Sequence, residues 1–334
     1  MLEDYPWLRN TWDFLLSAEK SNRLSQAYLF RCQEKLGIRD LIEKFAKGLF
    51  CEEHGVIPCL DCRNCVLFDS RNHPDIKRLE SIEANSTITI DSVRQLIDFF
   101  SYKPTISKTK IAIIDPINDL NISAGNAMLK ILEEPPADAV FLLNWENPKP
   151  IPRTLISRCQ QISIPSPNRL EVMAWLKSRG FDLKENLPSG AHLMIGSPLE
   201  LLEQLENKNP SNQIVPDLLS DLLKLGDGYK NVVALSEKYF KQNTMVFLKS
   251  MESLCHAIAT LKYSELPKKV FVSPENKLNL QTLSDKLELV DICKLNEDLL
   301  KIKWKCYSSE GIKSSDIVES LLYMWLMIFK KNLT

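Results

Sequence analysis

The chain has 334 residues, with 42 Lys and Arg against 43 Asp and Glu, for a formal net charge of −1. That length accommodates two or three domains of about 100–200 residues, and the near-neutral balance excludes a broad electrostatic grip on nucleic acid. Glu3, Asp4 and Trp7 stand where an export signal needs a basic start, and the apolar run from Leu321 to Phe329 falls well short of the ~20 residues that span a bilayer. The expectation is a cytoplasmic protein with no membrane partner.

The first half alternates strand and helix patterns. Ala27 to Phe30 reads as a strand, and Ile38 to Phe50 as a helix with Leu41, Ile42, Phe45 and Leu49 on one face. Asp75 to Leu79 is a short strand, followed by a helix from Ile90 to Phe100 with Thr89 or Asp91 as its cap. Lys110 to Ile114 is apolar nearly throughout, as a buried parallel strand requires. A helix from Ser123 to Glu133 stops at Pro135-Pro136, and strands at Val140 to Leu143 and Gln161 to Ile164 complete the set. This alternation predicts a doubly wound α/β parallel sheet. Beyond Pro165-Ser-Pro167 the pattern is helical: Asn168 to Arg179, Pro198 to Glu206, then helices from Ile214 to the end. Polar residues 207–212, with Pro210, read as a linker. Thr244 to Leu261 is the clearest amphipathic segment, and Asp316 to Phe329 is apolar enough for a core or a subunit contact.

Four cysteines stand as Cys51-x7-Cys59-x2-Cys62-x2-Cys65. Thiolates bind zinc tetrahedrally, and an x2 spacing lets one tight turn present two sulfurs to one ion. Four sulfurs fill the coordination sphere, so the zinc is expected to be structural, stapling a loop too small for a core. Unrelated buried thiols and Cys-x2-Cys redox chemistry are the alternatives. His54 and His73 are spare ligands, read as surface or turn residues. Cys32, Cys255, Cys293 and Cys306 read as scattered core residues.

A phosphate-binding loop follows the first strand as G-x4-G-K-[ST], its glycines, lysine and hydroxyl serving phosphate and magnesium. Here that stretch is Cys32-Gln-Glu-Lys-Leu-Gly37-Ile38-Arg39. Only Gly37 survives; Ile38 replaces the lysine, Arg39 replaces the hydroxyl residue, and Glu34 repels phosphate. After the strand Ile111–Ile114, Asp115 is followed by Pro116 where a carboxylate is needed. Both losses together argue against ATP binding and hydrolysis by this chain.

Asn126-Ala-Met-Leu-Lys-Ile-Leu-Glu-Glu-Pro-Pro136, then Pro152-x4-Ser157-Arg158-Cys159, resembles the signature of bacterial clamp-loader subunits of the AAA+ class. His73-Pro74-Asp75, Ile90-Asp91-x2-Arg94 and Gly196-Ser197-Pro198 also fit. The resemblance is dense over the sheet and thins over the last ~120 residues, where length and helical character agree. It implies an AAA+ RecA-like parallel sheet domain with a zinc-binding insertion (1–165, module 51–65), a helical lid (166–208) and an all-helical collar (209–334). It further implies a non-hydrolysing stator in a five-subunit ring of the DNA polymerase III holoenzyme, a nucleotidyltransferase complex. The implied partners are ATP-hydrolysing motor subunits (gamma/tau), a delta subunit, the beta sliding clamp and primer-template DNA. Arg158 is, by motif position, a catalytic arginine finger acting in trans on a neighbour's ATP site, with Arg153 as a backup or a support for the loop; the alternative for Arg158 is an ordinary surface arginine bonded to a helix end. After Gly196-Ser-Pro198, active relatives carry an arginine that senses nucleotide; Leu199, Glu200 and Leu201 stand here instead. Glu133-Glu134 reads as a helix end whose carboxylates fix neighbouring loops rather than as an acid–base pair. Lys130 faces DNA, a neighbour or solvent.

Two other functions fit less well. An active but divergent AAA+ ATPase needs Arg39 or Lys35 to replace the missing lysine, which strains the loop. A free-standing zinc-dependent nucleic-acid binder needs a basic, aromatic-studded surface, whereas Arg63 and Arg71 are offset by Glu52, Glu53 and Asp61.

Overall fold

The run Lys-Ile-Ala-Ile-Ile-Asp at 110–115 is buried at every position. Only an interior strand of a sheet covered on both faces tolerates that. A computed structural model describes residues 4–53, 57–81, 87–146, 151–181, 197–207, 214–242, 244–263, 274–307 and 314–331. The chain forms two compact units, 1–175 and 176–334.

The first unit runs α1 (Arg9–Lys20), β1 (Ala27–Cys32), α2 (Ile38–Phe50), α3 (Arg63–Asp69), β2 (Ile76–Glu80), α4 (Ile90–Phe100), β3 (Lys110–Asp115), α5 (Ile122–Glu133), β4 (Ala139–Glu146), α6 (Arg153–Ile156), β5 (Gln160–Ser163) and α7 (Arg169–Ser178), which continues into the second unit. The five strands are all parallel, in the order β2-β3-β4-β1-β5. Leu29, Ala112, Ile114, Phe141 and Leu143 point to one face and pack with Val93, Leu96, Met128 and Leu132 of α4 and α5. On the other face Tyr28 meets Phe45 of α2 edge-on, with ring centroids 6.0 Å apart. The expected α/β sheet is present, with strand ends within one to three residues of those predicted. Of the two candidate caps, Thr89 is the one used: its side chain accepts from the Ser92 amide. Helices α1 and α3 were not foreseen. Helix α1 buries only Thr11, Trp12 and Leu15, too narrow a stripe for a clear period.

Asp75 falls just outside β2, and its carboxylate has a task of its own. It accepts from the amides of Thr105, Ile106 and Ser107 at 2.6, 2.9 and 2.9 Å, pinning the loop between α4 and β3. His73 was expected at the surface or in a turn but is buried. Its ring stacks on Phe50 at 4.0 Å, Nδ1 accepts from the Asp75 amide, and Nε2 lies 3.2 Å from Ser107 Oγ.

The second unit contains α8 (Pro198–Asn207), α9 (Ile214–Gly226), α10 (Val232–Gln242), α11 (Thr244–Tyr263), α12 (Pro274–Lys286), α13 (Leu289–Tyr307) and α14 (Ser314–Lys331). Helix α11 buries more than the single stripe expected of an amphipathic helix, because α9, α10, α12, α13 and α14 all pack on it. Trp325 and Phe329 of α14 are fully buried. The α9–α14 approach is so close that a Cβ at Gly226 would lie 2.5 Å from the Phe329 ring. Buried Asp221 accepts from Lys238 Nζ and Tyr239 OH, both at 2.8 Å, and pairs with Lys230. Cys32 and Cys255 are core residues as expected and Cys306 is half-buried, but Cys293 is exposed. No helix among the described residues is long and apolar enough to cross a membrane.

The three amide donors hold the Asp75 carboxyl below its ordinary range against the opposing effect of burial. A depressed carboxylate contributes stability that is present above its unfolded pKa and is lost as pH falls through the folded one. Asp75→Asn is therefore expected to lower stability at pH 7 by about 1–3 kcal/mol and to flatten the acid limb below about pH 4. Urea melts at pH 7 and pH 3 check this; an equal loss at both would refute it.

Candidate functional site

In an open parallel sheet, ligands bind outside the carboxyl ends of the strands where the strand order reverses. Here the reversal lies at β1, which sits between β4 and β5. Three carboxylates gather at the strand ends: Glu80 of β2, Asp115 of β3 and Glu146 of β4. Arg39, from the first turn of α2, closes on them. Its Nε lies 2.9 Å from Asp115 Oδ2 and 3.6 Å from Glu146 Oε1. Buried Asn144 completes the group, its amide nitrogen donating to Asp115 at 2.7 Å and to Glu146 at 3.0 Å. Cys32 Sγ lies 3.7 Å from Asn144 Oδ1. Burial pushes the Asp115 carboxyl up to about 6, even with Arg39 beside it.

The loop itself is covered by the chain's own N-terminal segment. Gly37 has φ +80°, and a Cβ there would lie 2.7–2.9 Å from the ring of Tyr5. Tyr5 OH donates to Asp40 at 2.7 Å, and Trp7 Nε1 donates to the Leu36 carbonyl at 2.8 Å. Trp7 meets Trp175 edge-on at 5.1 Å. Ile38, at the lysine position, is buried, and Pro116 follows Asp115 at the end of the core strand.

The cysteines form the second cluster. Ligand atoms of Cys51, Cys59, Cys62 and Cys65 all lie within 4.8 Å of one another, and the Cys59 and Cys65 sulfurs are 4.0 Å apart. Tetrahedral zinc with Zn–S near 2.3 Å sets sulfurs about 3.8 Å apart, so this donor set fits a zinc ion. Backbone amides of residues 59, 62 and 65 point at the sulfurs of 51, 59 and 62, at 3.3–3.4 Å. Such donors suit thiolates. Cys62 also caps α3. Burial pushes the Cys65 thiol up to about 12, so an ion entering the site displaces its proton. The module is tied to α2: Asn64 Nδ2 donates to the Phe50 carbonyl at 3.0 Å, and Lys47 pairs with Asp69 at 2.7 Å. His73 lies beneath Phe50 and is no ligand. His54 and Gly55 lie outside the described residues.

The third feature is the turn between α6 and β5. Leu155 is buried and Cys159 packs against the sheet core, which leaves Arg158 projecting between them. Burial pushes the Cys159 thiol up to about 12, consistent with an inert anchor. Arg158 Nη1 donates to the Thr154 carbonyl at 2.8 Å, and Nη2 donates to Glu133 Oε1. The Leu-Glu-Glu-Pro-Pro and Ser-Arg-Cys segments, 25 residues apart, are thus joined by one ion pair. Arg153 and Lys130 are exposed, and Arg94 pairs with Asp91 at 3.0 Å. Gly196 lies outside the described residues; Leu201 is buried and Glu200 pairs with Lys249 at 3.6 Å.

Asn144, Glu146 and Tyr5 escaped the sequence reading. Asn144 left one signal, as an amide that interrupts the apolar run of β4. Tyr5 and Glu146 left none.

A family model described as DNA polymerase III, delta subunit, matches residues 7–168. Subunit delta' of DNA polymerase III from Pseudomonas aeruginosa is 28% identical over 337 residues, covering 97% of this chain and 98% of that protein. The Escherichia coli delta' subunit is 28% identical over 236 residues, 70% of this chain and 71% of that one. Subunit tau/gamma from Haemophilus influenzae is 36% identical over 176 residues, 52% of this chain but only 25% of that longer protein. The all-parallel sheet and the four-cysteine cluster thus occur in a chain similar to DNA polymerase III subunits. Over nearly its whole length the chain is similar to a delta' subunit of DNA polymerase III.

Two outcomes are expected. Arg39→Ala leaves Asp115 and Glu146 without their cation and lowers stability by about 1–3 kcal/mol. A raised carboxyl contributes stability below its unfolded pKa that is lost as pH rises through the folded one. The Arg39→Ala loss is therefore larger at pH 7.5 than at pH 5, which thermal melts at the two values compare; a larger loss at pH 5 would contradict it. Cys62→Ser loses bound zinc and makes residues 51–65 protease-sensitive, while the sheet unit still folds. Full zinc content with unchanged melting would sink the staple.

Proposed function

We propose that this chain is the non-hydrolysing stator of a clamp loader and supplies Arg158 as a finger to the ATP site of a neighbouring motor subunit. One observation carries the reading. At the strand ends, where phosphates and their metal would need to sit, the guanidinium of Arg39 is already closed on Asp115 and Glu146. Ile38 offers no charge, and the Tyr5 ring lies over Gly37. A polyphosphate entering there would meet Glu34 and the carboxylates of Asp115 and Glu146, whose cation Arg39 is already engaged. The chain therefore binds no ATP of its own, and its part in hydrolysis is played in a neighbour's site.

Arg158 suits that part. It sits on an exposed turn whose flanking residues are anchored in the core, so the backbone cannot retreat. A planar, permanently charged guanidinium suits the charge that spreads over phosphate oxygens in the transition state. Zinc held by Cys51, Cys59, Cys62 and Cys65 is structural: with four protein ligands no position is open for water. In this reading residues 1–165 are the AAA+ RecA-like part, 166–208 the lid and 209–334 the collar. The partners are the gamma/tau motor subunits, the delta subunit, the beta clamp and, through the complex, primer-template DNA in the cytoplasm.

The test is primed-DNA-stimulated ATP turnover by the complex reconstituted with this chain or with Arg158→Ala. A loss of roughly 10³-fold with assembly intact is expected, together with no ATP bound by the isolated chain in equilibrium dialysis. Unchanged turnover would end the finger assignment, and stoichiometric ATP binding would end the stator assignment.

A further inference from the structure

We propose that Glu133 is the positioning residue for Arg158, holding its guanidinium in one plane before a neighbour's nucleotide arrives. The inference rests on the finger reading of Arg158 and goes beyond it, because Glu133 itself touches no nucleotide. The side chain of Arg158 is gripped by acceptors from two different helices. Thr154 of α6 accepts from Nη1 at 2.8 Å, and Glu133, the last residue of α5, accepts from Nη2. Two acceptors on different nitrogens fix the rotation of the planar group, which one acceptor alone does not. The turn beneath is equally fixed, since Leu155 is buried and Cys159 packs on the core.

Helix stability does not account for Glu133. A carboxylate at the C-terminal end of a helix faces the negative end of its dipole, and exposed Glu134 adds a second negative charge beside it. The guanidinium offsets that charge. A free arginine side chain loses much rotamer freedom when it engages phosphate; one already held loses less, so the gain appears in the turnover step rather than in nucleotide binding.

The experiment uses the reconstituted complex with Glu133→Gln, Arg158→Ala and the double variant, each checked for equal assembly and melting. Glu133→Gln is expected to lower kcat for ATP about three- to tenfold with KM unchanged. In the Arg158→Ala background the same change is expected to have no effect, because its route runs through Arg158. A Glu133→Gln effect that persists in that background, or unchanged or raised turnover in Glu133→Gln alone, overturns the positioning role while leaving Arg158 as the finger. Unchanged turnover in Arg158→Ala overturns both. Should Glu133→Gln assemble poorly, Glu133→Asp, which keeps the charge on a shorter arm, replaces it in the same cycle with the same outcomes.

Discussion

Three carboxylates brought together at the ends of parallel strands repel one another and resist burial. Glu80, Asp115 and Glu146 are in that position because β2, β3 and β4 run side by side in the same direction. A parallel sheet needs something positive there, and nucleotide-binding members of such folds use a metal and the groups around it. In this chain the cation is covalently attached: Arg39 reaches over from α2 and pairs with two of the three. The interaction holds the first turn of α2 on the sheet edge. It also places a fixed positive charge between Asp115 and Glu146. The aromatic cluster of Tyr5, Trp7 and Trp175 then sits against the loop before α2, with the Tyr5 ring over Gly37.

The cysteine module depends on the same helix from its other end. Phe50 ends α2, takes Asn64 on its carbonyl and stacks its ring on His73. His73 in turn meets Ser107 and the Asp75 amide, and Asp75 pins the loop before β3. The four-sulfur site is therefore rooted in the sheet unit. A zinc ion held there would replace the apolar core that so few residues cannot build.

The Arg158 turn shows a related division of labour. Apolar burial of Leu155 and Cys159 fixes the backbone, while polar contacts to Thr154 and Glu133 fix the side chain. On an exposed surface such an ion pair contributes little to stability, about 0–1 kcal/mol. Its effect lies in geometry, since two acceptors on different nitrogens fix the plane of the guanidinium.

Much of this was legible in the sequence because it is local. Strand and helix periods depend on residues two to four apart, the cysteine spacing lies within fifteen residues, and the broken phosphate loop is a contiguous stretch. The α/β class, the cysteine cluster and the missing lysine could all be read that way. Tertiary structure alone decided the rest. Arg39 finds Asp115 and Glu146 only because strand order sets β4 beside β1 and β3 next after it. His73 goes to the core rather than the surface because Phe50 offers it a stacking face. Glu133 meets Arg158 across 25 residues because α5 and α6 pack on the same side of the sheet. These are pairings between residues far apart in the chain, governed by strand order and helix packing rather than by spacing, and no local rule carries that information.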